Sequence, residues 1–212
     1  MKRAEAHELL EEHRKKKIRF FTRLFDVTDD ANHRVLESLA LSNDAELAAW
    51  LAEEADRMED FLLEMAKVAR VGLYHWVEAD LKQLLAVLNP DGGADRVWRL
   101  NWPDLDKAYG KHGVQLERLP NHGDVKFLRL FANSWKHNPF SPSDDLCAFF
   151  GVSTRNEGEH PTLRRLVGIE VALMKRYDIS PEEKDPYKLE LLLVDRVLAF
   201  LRAVVDAAPF EA

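Results

Sequence analysis

Four side chains between Leu128 and Asn138 are of the types that handle protons and phosphates: Arg129, Asn133, Lys136 and His137. An imidazole gives or takes a proton near neutral pH. A guanidinium or ammonium holds an anionic oxygen, and a carboxamide can orient either. On a helix turning about 100° per residue, Asn133 lies about 40° from Arg129, His137 about 80° and Lys136 about −20°. The four therefore make one narrow polar stripe. Leu128, Leu130, Phe131, Ala132 and Trp135 cover the rest of the circumference. Burying such a helix leaves donors and one imidazole in a sheltered place, where polar groups must be satisfied or used.

Other chemistries have less support. Eight histidines raise the question of a metal, but no His-x3-His occurs and no Glu-x-x-His follows the acidic run from Glu53 to Asp60. The single cysteine, Cys147, allows no intramolecular disulfide and no paired-cysteine zinc site. There is no Gly-rich phosphate loop and no Ser-His-Asp order. The expectation is a protein with no metal and no cofactor. The most basic stretch, His13-Arg14-Lys15-Lys16-Lys17-Ile18-Arg19 with Arg23, could track a phosphate backbone. Glu8, Glu11 and Glu12 lie one turn upstream and can neutralise it as a solvated face. Trp98-Arg99-Leu100-Asn101-Trp102 could dock a protein partner, or both rings could pack onto the body.

The elements that must position these groups are helices. The chain has 212 residues, a formal net charge of −7, 46% hydrophobic and 32% charged residues. That composition is globular and argues against a surface coated with basic groups for duplex DNA. Helical periodicity runs over 2–25, and Thr28-Asp29-Asp30 reads as the cap of a second helix over 29–41. Ser42-Asn43-Asp44 caps a third, with Glu46 completing a capping box if Asn43 is the cap. From Ala45 to Leu88 only Gly72 interrupts, which allows one very long helix or two that meet there. Asn89-Pro90-Asp91-Gly92-Gly93 stops it. Further helices are expected at about 103–111, 123–138, Ser143–Phe150, 162–177 and Tyr187–Ala207, with 151–161 and 178–186 irregular. No strand run or repeat stands out. The fold class is all-α: a helical bundle with a long helix at about 45–88 and a buried motif helix at about 123–138. The final helix should close the core through Leu189, Leu192, Leu193, Val197, Phe200 and Leu201. Residues 1–212 read as one domain, with 1–42 a peripheral extension. The charged N-terminus has no apolar signal core, and no run reaches the ~20 apolar residues of a membrane span. A cytoplasmic protein without membrane contact is the expectation.

The segment from Val125 to His137, followed by Ser143-Asp144-Asp145-Leu146, resembles HEPN-like proteins of bacteria. The shared features are a Leu-Arg-Leu stretch, an Asn-x-x-Lys-His helix end, a Ser-rich turn, and an acidic residue beside Leu. Val68 to Leu85, with Tyr74-His75-Trp76-Val77-Glu78, is similar to the family's upstream long helix. The resemblance implies a helical bundle acting as a homodimer and, in active members, metal-independent RNA cleavage. His137 would be the acid/base, and Asn133 and Arg129 would complete the catalytic set. Lys136, together with Lys15, Lys16 and Lys17, would bind RNA. One departure stands out: Ala132 occupies the position before Asn133, where active members carry arginine. Arg129 is one turn too early, about 12 Å from His137 along the axis, and could equally serve as an ion-pair partner for a carboxylate on the 45–88 helix. The same residues thus allow a dimeric ribonuclease of toxin or defence type, or a catalytically silent module that binds a protein partner.

Overall fold

Asp44 starts the longest helix. Its carboxylate accepts bonds from the backbone amides of Glu46 (2.9 Å) and Leu47 (3.3 Å), satisfying two of the donors a helix start leaves open. The cap is thus Asp44 rather than Asn43. The computed structural model describes residues 2–89, 94–138, 141–154, 160–180 and 188–211. Expectations placed on Pro90–Gly93, Pro139-Phe140, 155–159 and Pro181–Tyr187 lie outside the described residues. Among the described residues eight α-helices follow in chain order: α1 (Arg3–Leu41), α2 (Ala45–Leu88), α3 (Ala94–Trp98), α4 (Trp102–Lys111), α5 (His122–His137), α6 (Asp144–Phe150), α7 (Pro161–Tyr177) and α8 (Lys188–Ala207). A 3-10 turn at Leu116–Arg118 joins α4 to α5. Among the described residues there is no strand, only an isolated bridge between Lys2 and Glu211. The chain is an all-α bundle. No helix among the described residues is long and apolar enough to cross a membrane.

Two helices differ from the sequence expectation in length. α1 is continuous across Thr28-Asp29-Asp30. Cap residues favour a break only when something else removes helical bonds, and no Gly or Pro lies between Lys2 and Ser42. α2 passes through Gly72 without interruption, because Ala69, Leu73, Trp76, Val77, Leu81 and Leu84 keep one face buried on either side of it. The two helices pair as an antiparallel hairpin.

The core forms where the inner halves of α1 and α2 meet α5 and α8. α5 packs against α2, as expected of the motif helix. On α8, Leu189, Leu193, Val197, Phe200 and Leu201 are buried, while Leu192 is half-buried. Ala6, Leu10, Phe21 and Phe25 of α1 belong to the same core.

Buried polar groups fasten the helices to one another. His13 of α1 meets Asp80 of α2 at 2.8 Å. Burial pushes the Asp80 carboxyl up, and His13 opposes that shift. Arg70 of α2 donates from Nε to Glu190 of α8 (2.9 Å) and from Nη1 to Glu170 of α7 (2.6 Å). Asp124, in the first turn of α5, accepts from Arg176 Nη2 (3.0 Å) and Tyr177 Oη (2.7 Å) on α7. The exposed pairs, such as Arg14–Asp195, contribute little beside these.

Candidate functional site

The α5 stripe divides into two environments. Ala132 is buried with Phe127, Leu128 and Phe131 on the core side, while Asn133, Lys136 and His137 are exposed. The helix ends when Asn138 turns into extended backbone and its amide still donates to the Ser134 carbonyl at 2.9 Å. The chain then folds back. Ser143 donates its amide to the Ser134 hydroxyl (2.8 Å) and caps α6 by accepting from the Leu146 amide (3.3 Å). This return places the acidic first turn of α6 beside the end of α5. A groove results, lined among others by Asn133, His137, Ser141, Ser143, Asp144 and Asp145.

Arg129 does not line that groove. It is half-buried one turn earlier, with its guanidinium carbon 5.5 Å from the centre of the Trp102 ring. Tyr74 of α2 also contacts that indole, at 6.4 Å between ring centroids. The Arg129 Nε is buried without a hydrogen-bond partner. The carboxylate partner expected for Arg129 on α2 is not found among the described residues; an aromatic face takes its place. Arginine is more weakly hydrated than an ammonium and stacks on indole readily, so this substitution of partner is physically sound. The nearby Tyr74 hydroxyl is pushed up to about 12 by burial and by Glu78, with Arg129 pulling the other way.

Trp102 and Trp98 part company. Trp102 packs against the core, and Trp98 stays about half exposed on α3. The Trp98 carbonyl accepts from Lys82 Nζ at 3.2 Å, and Lys82 also pairs with Glu78 at 2.8 Å. Lys15 and Lys16 are exposed and Lys17 half-buried on α1, which packs against α2 and α8. None of the three lines the α5–α6 groove. Among the described residues no cluster of three or more His, Cys, Asp or Glu side chains could hold a metal ion.

The groove can offer one imidazole, two carboxamides, serine hydroxyls and two carboxylates. Such a set suits hydrogen bonding to a polar or cationic group. It lacks the concentrated positive charge that a phosphodiester requires. The two residues missed as groove formers, Asp144 and Asp145, carried a helix-start signal in the sequence. They share the groove with His137 because α6 packs on α5, through Phe150 on Phe127 and the Ser134–Ser143 bond, which no local pattern encodes.

The Arg129–Trp102 stack is measurable. A double-mutant cycle with Arg129→Met and Trp102→Leu should return a coupling of about 0.5–1 kcal/mol in denaturant unfolding. Zero coupling would mean that the two groups do not interact energetically.

Compared with protein-family models, curated proteins and solved structures, this chain gives no match in any of the three.

Proposed function

We propose that this chain is a HEPN-like helical module that works by binding and does not cleave RNA. The observation carrying this reading is the place of Arg129: stacked on Trp102, outside the groove that His137 lines. Metal-independent cleavage needs a cation close to the phosphate while the imidazole moves the proton. Here Ala132 fills the position before Asn133 and faces the core. Asp144 and Asp145 in the same groove repel phosphate oxygens, and the net charge of −7 does so at longer range. Exposed apolar side chains support a binding role. Leu163, Val167 and Val171 recur every fourth residue along α7, and a longer set lies on α1 and α2.

The second reading is a His137-dependent ribonuclease acting as a dimer. It is favoured by Asn133 and His137 lining one open groove, with Lys136 exposed next to His137 in the chain. For that reading Arg129 of a second copy would have to leave its indole and reach the groove across a two-fold axis.

Fluorescence anisotropy with a labelled single-stranded RNA separates the two. The binding-module reading expects weak affinity that does not change on Lys136→Ala plus His137→Ala. A loss of affinity of tenfold or more in that variant would contradict it. The basic run of α1 is tested in parallel with Lys15, Lys16 and Lys17 changed to Glu. If that run serves as a solvated face, the salt dependence of binding stays as it was.

A further inference from the structure

Among the described residues, the outer half of the α1/α2 hairpin shows almost no buried side chains. Among the described residues between Asp26 and Met65, only Leu51 is fully buried. Two helices packed only on each other leave much of each amphipathic circumference in water, and stable pairs of this kind normally gain further helices. Large apolar side chains stand out along this part: Phe20 and Val27 on α1, and Leu47, Trp50, Phe61 and Val68 on α2, each about half exposed or more.

These residues are spaced as a seam. Phe20 and Val27 are seven apart, as are Phe61 and Val68, and Leu47 is fourteen before Phe61. Trp50 adds the intermediate position, three after Leu47. That is the heptad pattern by which helices pack along a shared stripe. The stripes of α1 and α2 face the same way, because Phe20, Val27, Met58 and Phe61 line one groove, with Lys16, Arg19 and Arg23 also in its walls.

Charge identifies the occupant. From His13 to Phe25 the chain carries six Lys or Arg and no carboxylate. From Asp44 to Glu64 it carries eight carboxylates and one cation, Arg57. The first segment lies at the base of the hairpin and the second covers its outer part. The groove therefore wants an acidic, apolar helix, and the outer half of α2 is one. A two-fold axis near Val27 and Phe61 would lay two hairpins antiparallel, so that Arg19 and Arg23 of each copy meet Glu53 and Glu54 of the other. Six seam residues at roughly half of ~200 Å² each give about 600 Å² per copy, or about 1,200 Å² in total, which reaches the lower end of stable interfaces.

We propose that two copies of this chain associate through the exposed faces of their α1/α2 hairpins, antiparallel, with the basic base of each against the acidic outer part of the other. The pairing stands apart from the question of RNA, since none of its residues lines the α5–α6 groove.

Light scattering coupled to size exclusion on the full chain tests it. The expected mass at micromolar concentration is twice the 24.4 kDa of one chain, with association weakening as salt rises. Phe61→Glu and, separately, Arg19→Glu with Arg23→Glu should each weaken association at least tenfold. Adding Glu53→Lys and Glu54→Lys to the second variant should restore the dimer. All five positions are at least partly exposed, and a far-ultraviolet spectrum unchanged from the parent shows that the fold survives. A monomer at every concentration overturns the proposal. So does a dimer indifferent to both Phe61→Glu and the charge reversal, or a reversed pair that is not rescued. RNA cleavage, were it found, would bear on the α5–α6 groove and leave this interface untouched.

Discussion

Replacing Arg70 by Met should destabilise the protein by about 3–5 kcal/mol at neutral pH. Glu190 has no exposed surface, and Arg70 donates to it at 2.9 Å while also holding Glu170 at 2.6 Å. Removing the guanidinium strands a carboxylate in the core, which costs more than the pair contributed. The pH dependence follows from the direction of the Glu190 shift. Burial raises its carboxyl above the ordinary carboxylate range, and Arg70 is the largest influence pulling it back down. A carboxyl raised in the folded state binds its proton more tightly there than in the unfolded chain. Its contribution is therefore complete below the unfolded value and is lost as pH rises through the folded one. Without Arg70 that upper bound moves higher still. The Arg70→Met protein should regain part of its lost stability between pH 7 and pH 5, and regain more than the parent gains from this group. Adding Glu190→Gln should recover stability at pH 7, because no charge is then stranded. Urea midpoints at the two pH values check all three outcomes.

Asp124→Ala should cost about 2–3 kcal/mol. This carboxylate is almost fully buried and accepts from Arg176 Nε and Nη2 and from Tyr177 Oη. It also sits in the first turn of α5, where a negative charge meets the positive end of the helix dipole. Its loss releases α7 from α5 and leaves the Tyr177 hydroxyl without its acceptor. Tyr177→Phe, which keeps the ring, should cost only about 1 kcal/mol. The neighbouring Gly123 has its own requirement: a Cβ there would lie 2.8 Å from Arg176 Nη2. Gly123→Ala would therefore shift the end of the flexible Arg176 side chain, at a smaller cost than losing Asp124. Thermal or urea unfolding of the three variants gives the ranking directly. Equal stability of Asp124→Ala and the parent would show that the α5–α7 link carries no weight.

These links explain which parts of the fold the sequence reveals. The helices α4 to α8 were legible because their signals are local: Pro103 and Asp104 at the start of α4, Ser143 at that of α6, Pro161 at that of α7, and apolar spacing on α8. The polar stripe of α5 was legible for the same reason, since residues four apart must share a face. The continuity of α1 was not, because the cap residues at Thr28-Asp29-Asp30 compete with a helix that the hairpin with α2 sustains. The partner of Arg129 was misjudged because a cation on an apolar helix suggests a carboxylate, and an indole 27 residues away leaves no local trace. Arg70 and Glu190 are 120 residues apart, so only the packing of α2 on α8 brings them together. The acidic wall of the groove likewise depends on the packing of α6 on α5, with Phe150 against Phe127 and Ser143 bonded to Ser134.

The same division bears on function. The residue types along the stripe were read from sequence, and their separation into an exposed trio and a stacked arginine came from the fold. Ala132 faces the core, and Arg129 is held on Trp102.

The most direct test is incubation of total cellular RNA and tRNA in EDTA with the parent protein and with His137→Ala, at high protein concentration. The account predicts equally intact RNA in both. Cleavage by the parent that disappears in His137→Ala would contradict it.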